Sequence, residues 1–64
     1  MTPLNKRETD ILRLISEGNS YKQVANKVNI SIPTIKFYIR TAKDKLAAKN
    51  ICHAAALFVR LYIL

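Results

Sequence analysis

Three cationic side chains recur along one flank of the segment 32–47, with an aromatic ring beside them. When residues are placed about 100° apart around a helix, Lys36, Arg40 and Lys43 fall on one side and Phe37 lies next to them. Lysine and arginine donate hydrogen bonds to phosphate oxygens and to guanine N7 and O6, and an exposed phenylalanine can contact a thymine methyl. The spacing therefore predicts a nucleic-acid surface, with Lys36, Phe37 and Arg40 as candidate base contacts.

The charge balance of the whole chain favours the same kind of partner. Eleven lysines and arginines oppose four acidic residues, which leaves a net charge of +7 at pH 7. This excess fits a polyanion, either nucleic acid or an anionic membrane, although a merely soluble basic surface also explains charge alone. A cationic membrane helix needs basic and apolar faces on one long helix, whereas here they lie mainly on different predicted helices. We therefore expect double-stranded DNA and no membrane partner.

Capping residues and helix breakers divide the chain into four predicted helices, at residues 6–17, 21–28, 32–47 and 51–62. Two of the starts have a Glu or Gln three positions after the cap, as in a capping box. Gly18 and Asn29 favour the left-handed backbone that ends a helix. A chain of 64 residues has room for one small core. The prediction is one domain, 1–64, folded as an all-α four-helix helix-turn-helix bundle with caps at Asn5, Ser20, Ser31 and Asn50.

The third predicted helix carries a single apolar stripe. Ile35, Ile39, Ala42 and Leu46 recur at spacings of four, three and four residues, which places them on one side of a helix. Burial of this stripe would turn the cations of the same helix towards solvent. All further predictions about the surface depend on it.

The second and third predicted helices, joined by a tight turn, have the geometry in which the third enters the major groove and the second braces it. Helix starts offer free N–H groups and the positive end of a dipole, both suited to phosphate. Lys22 opposes the dipole of its own helix, and a phosphate would relieve that misfit. The candidate phosphate contacts are Ser20, Lys22, Ser31, Thr34, Tyr38 and Lys43.

The fourth predicted helix is apolar on two sides. One stripe, expected in the core, comprises Ala54, Leu57, Phe58 and Leu61; the second, about a quarter turn away, comprises Ile51, Ala55, Val59 and Tyr62. The second stripe fits either a dimer interface or a wide contact with the other helices. We assign its four residues to a candidate dimer interface.

Other chemistry is poorly supported. One His, one Cys and four carboxylates supply no nucleophile with a base, so we expect no enzyme. Cys52 has no partner for an internal disulfide, and with His53 it cannot complete a metal site; no metal, cofactor or small-molecule ligand is expected. Met1 to Pro3 lead into a capped helix without an apolar run, so no signal peptide is expected. Together with the single cysteine, this favours the cytoplasm.

The assembled residues resemble the LuxR/FixJ-type (GerE-like) helix-turn-helix family, and the resemblance covers nearly the whole chain. The pattern's Thr-Val-Lys-x-His has Tyr38 in place of His, its Gly after Lys-Leu is Ala47, and its Arg after Asn50 is Ile51. The tail 55–64 looks most like the quorum-sensing branch. The matching positions are Leu4, Arg7-Glu8, Ile11-Leu12, Leu14, Gly18, Ser20, Lys22, Val24-Ala25, Ile30-Ser31, Thr34-Ile35-Lys36, Lys45-Leu46, Asn50 and Ala54.

The resemblance implies a bacterial transcriptional regulator that binds DNA sequence-specifically, with the third helix in the major groove and the fourth joining two copies. An activator of this kind would also contact RNA polymerase, but no residue is assigned to that contact. The stretch 20–46 also looks like region 4 of sigma factors, which is the closest rival. A third alternative is an interaction module that titrates a full-length regulator without binding DNA.

Overall fold

A computed structural model describes residues 3–64. The predicted domain 1–64 and the expectation of no signal peptide also involve Met1 and Thr2, which lie outside the described residues. The described chain contains helices α1 (Lys6–Ser16), α2 (Tyr21–Val28), α3 (Ile32–Leu46) and α4 (Ile51–Phe58), followed by a π-helical turn (Val59–Ile63). Residues 3–64 contain no strand. The predicted all-α class and the order of four helices are confirmed.

Each helix begins at the predicted cap. In all four, the cap side chain accepts a hydrogen bond from the backbone N–H three residues later, and in α1 and α2 the later side chain returns the bond. These bonds satisfy N–H groups that have no partner inside the helix. The four pairs are Asn5 with Glu8, Ser20 with Gln23, Ser31 with Thr34, and Asn50 with His53.

The first three helices end in the same way. Just beyond the last helical residue, the backbone takes a positive φ, 59° at Asn29 after α2, 54° at Ala47 after α3 and, one residue further on, 96° at Gly18 after α1. The next N–H then reaches back five residues, as in a Schellman motif. Because Ala47 has this left-handed backbone, α3 ends at Leu46 and not at the predicted residue 47. Similarly, α1 ends at Ser16, one residue before the predicted limit.

Two buried clusters hold the helices together, and α1 and α3 contribute to both. The predicted α3 stripe is buried throughout, with Ile35 and Ile39 in the first cluster and Ala42 and Leu46 in the second. Its position between the other helices fixes the rotation of α3 about its own axis. The first cluster is completed by Ile11, Val24 and Ala25, and the second by Leu12, Ala54 and Phe58.

The end of α4 differs from the prediction of a helix through residue 62. The α-helix stops at Phe58, and the Leu64 N–H donates to the Val59 carbonyl, five residues back, at 2.8 Å. The wider turn changes the rotation of the following side chains. Tyr62 stacks on Phe58, with ring centroids 5.3 Å apart, while Leu61 is 49% exposed. The expectation that Leu61 lies in the core is wrong.

No single helix among residues 3–64 has the length and apolar content needed to cross a membrane. Within these residues, α3 and the segment 51–63 have the required length and apolar content only when they are taken together, and the two are bent by 64° relative to each other. Much of the apolar surface of that pair lies in the two clusters.

Ala47 provides a stability test, because alanine pays a steric penalty in the left-handed conformation and glycine does not. The exposed Ala47 methyl contributes no core packing. Ala47→Gly should raise the free energy of unfolding by about 0.5–1 kcal/mol, since the relieved strain exceeds the added flexibility of the unfolded chain. Urea denaturation followed by circular dichroism measures this change.

The matched control is Ala56→Gly, at an exposed position inside α4. There the same change should lower the free energy of unfolding by roughly 0.5–1 kcal/mol. A loss of stability in both variants would contradict the structural role assigned to Ala47.

Candidate nucleic-acid interface

The surface of α3 opposite the buried stripe is open to solvent. Lys36, Phe37 and Arg40, the predicted base contacts, are all exposed there, with Phe37 at 59%. Lys43 lies at the edge of this surface and is half-buried, while Asp44 places one negative charge on it. Lys36, Arg40 and Lys43 take part in neither of the two ion pairs formed within residues 3–64. Their charges are therefore available to an external anion.

The predicted phosphate contacts of α3 are partly engaged within the protein. The hydroxyls of Ser31 and Thr34 lie 2.8 Å apart, and Ser31 Oγ accepts the Thr34 N–H. Tyr38 is half-buried against the first cluster. Ser31 and Thr34 thus lie at the start of α3, and Tyr38 lies on its flank, at the border between the exposed surface and the core.

The start of α2 forms the second part of the interface. Ser20 and Lys22 are both exposed, and Ser20 Oγ accepts the Gln23 N–H. Lys22 stands in the first turn, which contains no acidic residue. A positive side chain at the positive end of a helix dipole favours a nearby anion.

A buried carboxylate ties α1 to α3, and sequence reasoning assigned it only a capping role. Glu8 is 1% exposed. Lys45 Nζ donates to Glu8 Oε1 at 2.8 Å, the Thr41 hydroxyl donates to Oε2, and the Asn5 N–H donates to Oε1. A buried charge is tolerated only when it is paired and hydrogen-bonded in this way. Lys45 is thereby held towards α1 and away from the exposed surface of α3.

The same contacts govern the ionisation of Glu8. Burial by itself would raise its pKa, but hydrogen bonds from Lys45, Thr41 and Asn5, with the positive charge of Lys45, hold the pKa below its ordinary value of 4.5. The folded protein therefore binds a proton at Glu8 less readily than the unfolded chain does. The ionised carboxylate stabilises the α1–α3 arrangement.

Arg7 supplies a further connection that the sequence pattern did not reveal. Its guanidinium donates to the carbonyl of Val28, the last residue of α2, at 3.4 Å. This long hydrogen bond links α1 to the turn that precedes α3. An exposed basic residue in the first turn of a helix has no local sequence pattern that would indicate such a partner.

The four residues assigned to a dimer interface do not form one uniformly exposed face. Ile51 and Val59 are half-buried and pack against the second cluster. Ala55 is half-buried, and Tyr62 is 40% exposed with its hydroxyl accepting the Leu4 N–H at 3.2 Å. The more exposed apolar side chains are Leu61, Ile63 and Leu64, on the π-helical turn and the residue after it.

A short helix, a tight turn and a second helix with an outward cationic surface define a helix-turn-helix DNA-binding domain. Comparison with known proteins agrees with this class. Residues 2–58 match the family described as bacterial regulatory proteins, luxR family. The chain belongs to this family, whose members are DNA-binding transcriptional regulators, and the LuxR-type resemblance predicted from the sequence is confirmed. The rival assignment to sigma factor region 4 is therefore not retained.

Several curated relatives are similar over most of the chain. The transcriptional activator protein CarR of Pectobacterium carotovorum is 43% identical over 51 residues, which cover 80% of this chain and 21% of CarR. The nitrate/nitrite response regulator protein NarP of Escherichia coli is 39% identical over 57 residues, covering 89% of this chain and 26% of NarP. The matched segment thus spans about a quarter or less of these relatives.

The Glu8 network predicts a loss of stability in acid. Because the folded pKa lies below the ordinary value of 4.5, the contribution of Glu8 is complete above that value and is lost as the pH falls through the folded pKa. Glu8→Gln should lower the free energy of unfolding at pH 7 by about 1–3 kcal/mol and reduce its decline between pH 5 and pH 3. Urea denaturation across this range measures both effects.

Asp10→Asn is the control, because Asp10 pairs with Arg13 at 3.6 Å near the surface. That pair should contribute less than about 1 kcal/mol. An equal stability loss at pH 7 in the two variants, with the wild-type pH dependence kept in Glu8→Gln, would show that Glu8 is not the stabilising carboxylate.

Proposed function

We propose that this chain binds double-stranded DNA sequence-specifically, with α3 in the major groove and α2 bracing it against the phosphate backbone. The observation that carries the proposal is the burial of Ile35, Ile39, Ala42 and Leu46. With that side of α3 in the core, the opposite side has to carry the contacts to DNA. The major groove, about 12 Å wide, accepts a helix of this kind.

Two classes of contact follow from the exposed surface. Lys36 and Arg40 are proposed to donate to guanine edges, and Phe37 to meet an apolar edge beside them. Ser20, Lys22, Ser31, Thr34, Tyr38 and Lys43 are proposed to hold phosphates, which fixes the register of the domain without reading bases. Lys22 and the start of α2 are the best placed of these, since both are exposed and carry no competing negative charge.

We further propose that two copies bind one operator through α4. Support comes from the apolar surface of α4 and the π-helical turn, which the chain's own core covers only in part. A two-fold dimer would bind a pseudo-palindrome with half-sites about 10 bp apart. A contact with RNA polymerase and a cytoplasmic location belong to the same proposal, and membership of the quorum-sensing branch stays a prediction.

The base-reading role is tested by fluorescence titration of selected and random duplexes. Lys36→Ala and Arg40→Ala should each cost about 1–3 kcal/mol on the selected duplex and reduce the preference for it over random DNA. Lys22→Ala should weaken binding to both duplexes by the same factor, because phosphates are present in every sequence.

Arg13→Ala, which removes a cation from α1, is the matched control for charge and should leave the affinity for both duplexes close to the wild-type value. If about five phosphates are neutralised, log K should fall against log salt with a slope of roughly −4 to −5. A salt-independent affinity, or equal losses on both duplexes for Lys36→Ala, Arg40→Ala and Lys22→Ala alike, would refute the assigned roles.

The dimer is tested with a charge placed on α4. Ala55→Glu adds an acidic side chain at the proposed interface without removing a residue of either cluster. It should lower the affinity for a duplex with two half-sites more than for a duplex with one, because only the first requires two domains to meet. Titration of both duplexes gives the ratio.

Ala56→Glu adds the same charge at the next, exposed position of α4 and should leave that ratio close to the wild-type value. A larger effect of Ala56→Glu, or a loss confined to the single half-site, would remove this face of α4 from the interface.

A further inference from the structure

The start of α3 carries apolar side chains that the core leaves uncovered. Ile32 is 37% exposed and Phe37 59%, and Pro33 is exposed between them. At about 100° per residue, Ile32 and Pro33 lie within roughly 60° of Lys36 around the helix, and Phe37 within roughly 100°. Pro33 and Phe37 therefore share with Lys36 the surface that faces the groove in the proposed function, and Ile32, about 20° from the buried Ile39 by the same count, lies at its border.

The Phe37 ring is held in place although it is exposed. It meets the Tyr38 ring edge to face, with centroids 5.7 Å apart and planes at 69°. Tyr38 in turn packs against the first buried cluster. A large apolar side chain gains free energy when it leaves water, so a ring fixed outside the core is ready to be covered by a partner.

Among the groups on the major-groove edges of the bases, only one is apolar and so suits the side chains of Ile32, Pro33 and Phe37. In the major groove, G, C and A present hydrogen-bonding atoms, whereas thymine adds the apolar C5 methyl. We propose that Ile32, Pro33 and Phe37 form a subsite for thymine methyl groups beside the guanine contacts of Lys36 and Arg40. This inference rests on the proposed function and adds Ile32 and Pro33 to its specificity-determining residues.

The spacing along α3 limits where the methyl groups lie. Ile32 and Lys36 are separated by about 6 Å along the helix axis, as are Lys36 and Arg40. A base-pair step is about 3.4 Å. A half-site should therefore contain thymine within roughly two base pairs of each guanine that α3 contacts.

The test removes the methyl and nothing else. A duplex recovered by in vitro selection from a random pool is resynthesised with deoxyuridine in place of each thymine in turn, which leaves base pairing unchanged. The wild-type chain should lose about fourfold in affinity at one or more positions near the contacted guanine, the amount expected for one buried methyl. Fluorescence titration measures each duplex.

Variants assign the effect to α3. Phe37→Ala, Ile32→Ala and Pro33→Ala change exposed side chains, and circular dichroism verifies that their helix content is unchanged. At least one of them should bind the thymine duplex more weakly and show no further loss with deoxyuridine. Lys36→Ala is the matched control, because it should lose guanine preference while it keeps the sensitivity to the methyl.

The outcomes separate the subsite from the proposed function. Affinity that is unaffected by every deoxyuridine, with the selected duplex still preferred over random DNA, would overturn the thymine subsite alone. Methyl sensitivity that persists in all three apolar variants would overturn it as well. Equal affinity of the wild-type chain for selected and random duplexes would overturn both the subsite and sequence-specific binding.

Discussion

The rotation of α3 about its own axis is the constraint on which the rest of the structure depends. Its apolar stripe lies in both buried clusters at once, so α1, α2 and α4 all hold it. Burial of the stripe's two isoleucines and one leucine is worth about 1.5–3 kcal/mol each. That sum is comparable to the whole free energy of unfolding of a chain this small, roughly 3–10 kcal/mol. If α3 were rotated so that the stripe faced solvent, the chain would not stay folded. The cations of α3 therefore face outward as a consequence of packing.

A polar contact complements this apolar one. Glu8 caps α1 through Asn5 and, on its other side, binds Thr41 and Lys45 of α3. Apolar packing tolerates small sliding of one helix along another, whereas charge-assisted hydrogen bonds have defined distances and directions. The network thus fixes the position of α3 along α1. It also divides the lysines of α3 into one that stabilises the fold, Lys45, and others that remain free for an external anion.

Local features of the fold follow from the sequence, and long-range ones do not. Every helix start is predicted correctly, because a cap and its partner are three residues apart, and the α3 stripe follows from periodicity. The second role of Glu8 could not be predicted, since Thr41 and Lys45 lie 33 and 37 residues away. The π-helical turn is also missed. Its apolar sequence continues the pattern of α4, while Tyr62 reaches Leu4 at the opposite end of the chain. The exposure of Lys36, Phe37 and Arg40 is predicted correctly, because these residues lie on the part of the helix surface that the stripe does not occupy.

The central claim is that the exposed surface of α3, set by its buried stripe, is the surface that meets DNA. Nuclear magnetic resonance of the isotope-labelled chain, titrated with a selected duplex, tests it most directly. The account predicts that the largest shifts fall on residues 32–43 and on the first turn of α2, while the buried stripe keeps its contacts to α1. Shifts concentrated on the outer side of α1, with α3 unchanged at saturating duplex, would contradict it.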